Sequence, residues 1–390
     1  MAKKKINIAM LGTGFMGKAH SNGWMKVAKF FDVPYEPVFK VVFGRNKATT
    51  DAFAARWGYE SSSQDWKEVV ARDDVDIVCV VTTTHMHKEM VVEAAKHGKA
   101  IFCEKPVALS YKEACEMADA VKKAGVINYL NHNYRRVPAV AYAKKLIDEG
   151  KLGTIYHWRC AYLQDWIMDP NFPLTWHLQK ETANAGPLWD LGSHSVDLAH
   201  FLVGDISAVT AINKTFITER PLPGTGAATF TAGKSASGGT GKVTVDDASF
   251  MVTEFVNGAL GSFENSRFAG GRKNYNNFEI YGSKGSIAFN FERMNELQYF
   301  SRKDDPNSQG FRDIMVTEST HPYMGAWWAP GHLIGYEHPF VHAMADFLNA
   351  LKKEKPISPN MEDGKKIMRV LDAALKSNKE GRKVAVSEIK

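Results

Sequence analysis

Through the first third of the chain, short β-type apolar runs alternate with stretches of helical spacing. The runs Ile6–Leu11, Val38–Phe43, Ile77–Val81, Ala100–Cys103 and Val126–Asn131 read as strands, with Lys88–Lys96 and Tyr111–Ala124 among the amphipathic segments between them. That alternation predicts βαβ units and a parallel sheet. Ser110, three residues before Glu113, has the spacing of a capping box and predicts where the second of these helices starts.

Beyond a helical pattern at Ala139–Glu149 the rhythm changes. Thr154–Tyr162, Ser207–Phe216, Asp246–Phe255, Ala259–Arg267, Asn277–Tyr281, Ser286–Phe291 and Glu296–Phe300 are strand-like, with no helix between most of them. They predict a mainly antiparallel, open sheet, preceded for the most part by one strong helix at Pro187–Leu202. The stretch "PGTGAATFTAGKSASGGTGK", Pro223–Lys242, is expected to be a mobile surface loop. Helical patterns return at Pro339–Leu351 and Glu362–Ser377, and no internal repeat is present. The predicted fold class is α/β: a doubly wound parallel sheet over 1–134, then an α+β domain over 135–390 whose last helices are free to pack back on the first.

Composition narrows the partners. The 390 residues are 44% hydrophobic and 24% charged, ordinary globular values and enough chain for two cores. Formal charge is +6, from 49 basic and 43 acidic residues, and apart from Lys3-Lys4-Lys5 the basic residues are scattered. An anionic cofactor suits this pattern better than a nucleic-acid groove. Cys79, Cys103, Cys115 and Cys160 lack paired spacing and read as reduced thiols. No run approaches the ~20 apolar residues of a membrane helix, so a cytoplasmic location is expected.

In "INIAMLGTGFMGKAH", Gly12, Gly14 and Gly17 follow the first strand and open a helix, the setting that gives G-x-G-x-x-G its meaning. The turn Gly12, Thr13, Gly14, Phe15, Met16 and Gly17 is therefore expected to hold a dinucleotide pyrophosphate. The second strand ends in Gly44, Arg45 and Asn46 with no carboxylate. This leans toward NADP over NAD, although Arg45 can instead stack on adenine and Asn46 can bond an unphosphorylated ribose. Thr82, Thr83, Thr84 and His87 in "VVTTTHMH" close the next strand, at the carboxyl edge where such sheets bind ligands. His85 and His87 lack acidic or thiol partners nearby, and no metal site is expected.

"FCEKP" ends a strand at that same edge. Lys105 is a cation able to stabilise a developing alkoxide, and Glu104 is expected to hold it or to touch the nicotinamide ribose. In "GPLWDLGSHSVDL", Asp190 and His194 are four apart, sharing one helix face, with the histidine suited to accept a proton. The bland alternatives are a surface turn for the first motif, and a helix-end carboxylate with a core histidine for the second.

"GTGFMGKAH", "EKP", "NYRRVPAV" and "GPLWDLGSHSVDL", in this order, resemble the Gfo/Idh/MocA family over essentially the whole chain. "LQDW", "GGRKNYNNFEIYGSKGSIAFN" and "WWAPGHLIGYEHPFVHAMADFL" are similar to its branch of levoglucosan and glycoside dehydrogenases. The resemblance implies a Rossmann domain, a second domain whose open sheet helps assemble dimers or tetramers, and Lys105, Asp190 and His194 as the catalytic set. Departures are "TTTHMH" for the usual T-P-N-x-x-H, "ANAG" before the aspartate, and Gly44 in place of an acidic residue.

The expected reaction is hydride transfer between a secondary hydroxyl of a sugar, anhydrosugar, glycoside or inositol and NAD or NADP. Asn133, Tyr134, Arg135, Gln164, Asp165, Trp166, Trp176, Lys180, His332 and Tyr336 are the expected carbohydrate contacts, alongside Lys105, Asp190 and His194. The alternatives are a hydrolase working by transient oxidation and elimination, and a non-catalytic sugar or redox sensor.

Overall fold

The computed structural model describes residues 3–224 and 235–390. Met1–Arg136 and Gly335–Met368 form one unit, and Val137–Ile334 with Arg369–Lys390 a second. The first begins β1 (Lys4–Leu11), α1 (Phe15–Phe30), β2 (Tyr35–Phe43), α2 (Lys47–Trp57), β3 (Ser61–Ser63) and α3 (Trp66–Ala71). It continues β4 (Ile77–Val80), α4 (His87–Lys96), β5 (Ala100–Glu104), α5 (Tyr111–Ala124) and β6 (Asn128–Asn131). All six strands are parallel, in the order β3-β2-β1-β4-β5-β6, the doubly wound order with its switch between β1 and β4.

The apolar runs account for this arrangement. Ile8 to Leu11, Ile77 to Val80 and Ile101 to Cys103 are wholly buried, so both faces of the sheet need helices. The helices start where side chains can take their first N–H groups: Asn46 accepts from Thr49, Asp65 from Lys67 and Glu68, and Ser110 from Glu113. The expected box at Ser110 forms in shifted form, because the Glu113 carboxylate accepts the N–H of Leu109 at 3.0 Å.

The second unit runs α6 (Pro138–Asp148), β7 (Ile155–Leu163), α7 (Lys180–Ala183), α8 (Pro187–Leu202), β8 (Ile206–Lys214), β9 (Glu219–Pro223) and β10 (Ser235–Lys242). After these come β11 (Ala248–Phe255), β12 (Leu260–Ser266), β13 (Tyr275–Gly282), β14 (Gly285–Asn290), β15 (Glu296–Ser301) and β16 (Arg312–Met315). The chain closes with α9 (His338–Lys353) in the first unit, α10 (Met361–Glu380), and β17 (Val384–Ala385) in the second. α9 packs on α1 through Phe347 against Trp24 and Phe340 against His20.

Nine strands form one sheet in the order β16-β15-β14-β13-β7-β12-β11-β8-β17, antiparallel except where β7 and β12 run together. β11 alternates buried and exposed positions, as a strand covered on one side does. α8 lies on the covered side, where Ser195 donates to Asn265 of β12 at 2.8 Å.

The glycine- and serine-rich stretch departs from expectation. Its far half is β10, antiparallel to β9, while residues 225–234 lie outside the described residues. Backbone pairing needs no apolar side chains. At Gly241 a Cβ would stand 2.6 Å from a terminal methyl of Leu174, so a larger residue there would make that side chain shift.

Candidate active site

In the first unit the turn between β1 and α1 is closed by two glycines. Gly12 has a φ of 128°, and a Cβ on Gly17 would lie 2.4 Å from the Gly12 carbonyl oxygen, so helix and turn meet only because residue 17 has no side chain. Gly14 starts α1 without a side-chain cap, open space lies within 4 Å of its Cβ direction, and the first turn carries no acidic residue. Unfilled N–H groups, room and no opposing charge fit a pyrophosphate. Thr13 and Met16 are half-buried beside this turn, and the exposed Phe15 ring lies 6.1 Å from Tyr336.

At the end of β2, Gly44 is buried and a Cβ there would stand 2.2 Å from Thr50 Oγ1. The first turn of α2 has closed over the place where a ribose-reading carboxylate would begin. Arg45 is exposed and, among the described residues, makes no ion pair. Asn46 accepts the Thr49 N–H at 3.1 Å, so its side-chain oxygen is spent on the helix, leaving only the amide NH2 for a sugar hydroxyl.

Thr82 and Thr83 are half-buried at the end of β4, and Thr84 is buried. His87 differs from the expected cofactor contact. It is buried, with one ring nitrogen 2.9 Å from Pro106 O and the other 3.1 Å from Thr82 O. Burial pushes its pKa down against the two carbonyls, which favour the protonated ring; in its neutral form the imidazole donates to only one of them.

Glu104 is the last residue of β5 and is buried. Its carboxylate accepts His20 Nε2 at 2.7 Å, Asn131 Nδ2 at 2.6 Å and the Lys105 backbone N–H at 3.1 Å. Burial pushes this carboxyl up, and the donors, His20 first, outweigh it and hold it below the ordinary value. Glu104 thus fixes the backbone of Lys105, whose side chain stays half-exposed at the carboxyl edge of the sheet. Asn133, Tyr134 and Arg135, expected to contact the substrate, are buried. Arg135 donates to Ser358 Oγ at 2.9 Å, and its neighbour Arg136 donates to Ser358 O at 2.7 Å and pairs with Asp346 at 2.8 Å, tying this run to the returning chain.

In the second unit Asp190 and His194 share a face of α8. That helix is capped by a distant residue: both Asp246 carboxylate oxygens accept N–H groups, from Gly186 at 2.8 Å and Leu188 at 2.9 Å. Burial pushes the Asp246 carboxyl up against those two donors. The buried His194 ring meets Tyr162 edge-on at 5.8 Å. From there a polar chain runs outward, Tyr162 OH donating to Asn274 Oδ1 at 2.7 Å, Gln164 to the same oxygen at 3.1 Å, and Trp166 Nε1 to Gln164 at 2.8 Å.

Of the other expected contacts, Asp165 is engaged with Lys273 at 2.8 Å and the Gly271 N–H at 3.1 Å, shaping the turn before β13. Trp176 stacks on His177, which lies 5.7 Å from Trp166. Lys180 and His332 are exposed. Tyr336 belongs to the first unit, packed on Phe15 and Phe340.

Three residues escaped sequence reasoning: Asn274, Asp246 and Arg267. Arg267, just past β12, is 1% exposed and ion-paired to Asp190, whose side chain keeps 30% exposure. The sequence hint is slight: an arginine and two adjacent aspartates, Asp246 and Asp247, breaking otherwise strand-like runs. Among the described residues no cluster of three or more His, Cys, Asp or Glu can hold a metal, and no helix is long and apolar enough to cross a membrane.

Residues 6–132 match the oxidoreductase family with an NAD-binding Rossmann fold, and residues 140–288 match the GFO/IDH/MocA C-terminal domain. Levoglucosan dehydrogenase of Pseudarthrobacter phenanthrenivorans is 42% identical over 376 residues, 96% of each chain. The 2,7-anhydro-N-acetylneuraminate hydratase of Escherichia coli is 28% identical over 98% of each chain. A solved structure of levoglucosan dehydrogenase in complex with NADH and levoglucosan aligns with a TM-score of 0.93 at 40% identity, over 98% of this chain and 100% of that one. With both domains matched and such likeness along nearly its whole length, the chain belongs to the Gfo/Idh/MocA family of oxidoreductases, its first domain an NAD-binding Rossmann fold.

Proposed function

We propose that this chain is an NAD(P)-dependent dehydrogenase of a sugar, anhydrosugar, glycoside or inositol, with an anhydrosugar such as levoglucosan the first substrate to try. What carries the proposal is Asp190 one turn before His194, beside the amide and indole groups of Gln164, Asn274 and Trp166, in a chain whose fold follows levoglucosan dehydrogenase, solved in complex with NADH and levoglucosan, nearly end to end. Such groups suit a ligand that is polar on every side.

The turn Gly12–Gly17 would hold the cofactor phosphates, with Thr82 and Thr83 beside the nicotinamide end. A bound nicotinamide supplies a hydride acceptor. Lys105 donates a hydrogen bond to the reacting hydroxyl and stabilises the charge that develops on it. His194 accepts the hydroxyl proton on a ring nitrogen, and Asp190 orients the reacting group and the imidazole. The uncharged end of β2 and the free Arg45 cation favour NADP over NAD.

The assembly proposed is a homo-oligomer, dimer or tetramer, formed through the open face of the nine-stranded sheet. Ile212 and Val252 are 70% and 62% exposed there, beside a depression of about 340 Å³ that Phe250 also lines. Four free cysteines fit a reducing compartment, the cytoplasm.

The test is steady-state kinetics with NAD and NADP against levoglucosan, glucose, simple glucosides and inositols, followed by the absorbance of reduced nicotinamide. Sugar-dependent reduction is expected; sugar binding without any turnover would make the protein a sensor. Likeness to a hydratase favours a second chemistry, in which the nicotinamide is reduced and reoxidised within one turnover. Product formed without accumulation of reduced cofactor would establish it.

A further inference from the structure

We propose that Arg267 is a positioning residue that holds the Asp190 carboxylate and the Trp166 ring in register, so that Asp190 orients the reacting group while the proton passes to His194. The inference rests on the roles just proposed for Asp190 and His194.

Three observations carry it. Arg267 Nη2 donates to Asp190 Oδ2, which commits one carboxylate oxygen and offsets its charge with a cation that is 1% exposed. The same guanidinium stands 4.9 Å over the Trp166 ring, so one rigid group touches two proposed site residues from different segments of the unit. Its Nε and Nη1 are buried without hydrogen-bond partners. Among the described residues, Asp190 is the one hydrogen-bond partner of this guanidinium.

Its surroundings explain how the charge is tolerated. Arg267 donates its backbone N–H to Asp247 O at 3.1 Å, and the carboxyls of Asp246 and Asp247 both feel its charge. Asp246 in turn caps α8, the helix bearing Asp190 and His194. One cation therefore faces the carboxylate that starts the helix and the one that works on it.

The test is a double-mutant cycle in the full-length enzyme: Arg267→Met, Asp190→Asn and the two together, with Arg267→Lys as the conservative variant. Rates are measured with levoglucosan, or with the panel sugar of highest kcat/KM if levoglucosan is not turned over. Cofactor binding, read by quenching of protein fluorescence, reports the intact fold. Arg267→Met should lower kcat/KM on the order of 100-fold, the usual scale for breaking a buried charged pair. Arg267→Lys should recover about tenfold of that, since the charge returns without the fork. In the Asp190→Asn background the Arg267→Met change should cost less than about threefold, because the group it acts through is gone.

Equal losses in both backgrounds, or a lysine variant no better than the methionine one, would overturn the proposal. If Arg267→Met fails to bind cofactor, Arg267→Lys taken through the same cycle decides. Asp190→Asn with wild-type kcat/KM would sink the role of Asp190 itself, whereas a large Asp190→Asn loss with an additive Arg267 loss would sink only the positioning role.

Discussion

Two carboxylates, Glu104 and Asp190, are held in contrasting ways. Glu104 is buried in the parallel unit and satisfied by an imidazole, an amide and a backbone N–H, while Asp190 in the antiparallel unit stays partly open and leans on a buried guanidinium. The partners of Glu104 come from predictable places. Asn131 is its register partner on β6, His20 is on the first helix, and the N–H is that of the next residue. Arg267 lies 77 residues beyond Asp190 and meets it only because β12 packs under α8. A parallel sheet gathers the carboxyl ends of its strands at one edge by topology alone. An antiparallel sheet has no such rule, and its site depends on pairing register.

The largest effect should come at the lysine that Glu104 positions. Lys105→Ala is expected to lower kcat by about 1,000-fold or more while leaving cofactor affinity intact, since it removes the group proposed to meet developing charge. Activity near wild type in steady-state assays would break the comparison at once.

Acid should separate the units next. His342, donating through its ring to the Arg136 carbonyl oxygen, is pushed down to about 3 by burial. Its neutral form is the folded one, so its contribution is complete above the ordinary histidine value and fades as pH falls toward the folded value. The loss should reach about 3 kcal/mol by about pH 4. Glu104, also held low, adds to this at more acidic pH, its contribution lost as pH falls through the folded value. In the second unit Asp246 and Asp247 are pushed up by burial, so protonating them on acidification favours that fold. Hydrogen exchange should show first-unit amides losing protection first, and His342→Gln should flatten that pH dependence; simultaneous opening would remove the distinction.

A smaller effect is expected from Glu104→Gln, which keeps shape but loses charge. It should destabilise the first unit by about 2 kcal/mol in urea titration and lower kcat through the Lys105 backbone. The smallest is Arg45→Asp, which should reduce the preference for NADP relative to NAD about tenfold. An unchanged ratio of kcat/KM values would show that Arg45 does not read the ribose.

Much of this was legible in the sequence, for identifiable reasons. Apolar runs placed five of the six parallel strands, missing the short all-serine edge strand β3, and Tyr111–Ala124 and Pro187–Leu202 appear with the expected bounds. Lys105, Asp190 and His194 stood out because a charge at a strand end, or two polar groups one helical turn apart, is a local pattern. What stayed hidden was non-local. Arg267, Asn274 and Asp246 acquire meaning only through contacts 77, 110 and 60 residues away. Asn133 to Arg135 form a polar run that turns out to be buried, with Arg135 holding the Ser358 segment, a contact 223 residues away. β10 was missed because it is held by backbone pairing with β9 and has no apolar alternation for composition to reveal.

The central claim is that an ammonium and an imidazole serve one alcohol. A crystal structure of the enzyme with reduced cofactor and a turned-over sugar tests it most directly. Lys105 Nζ and a ring nitrogen of His194 should both lie within about 3.2 Å of the same substrate hydroxyl; a bound, reactive sugar contacting only one of them would contradict the account.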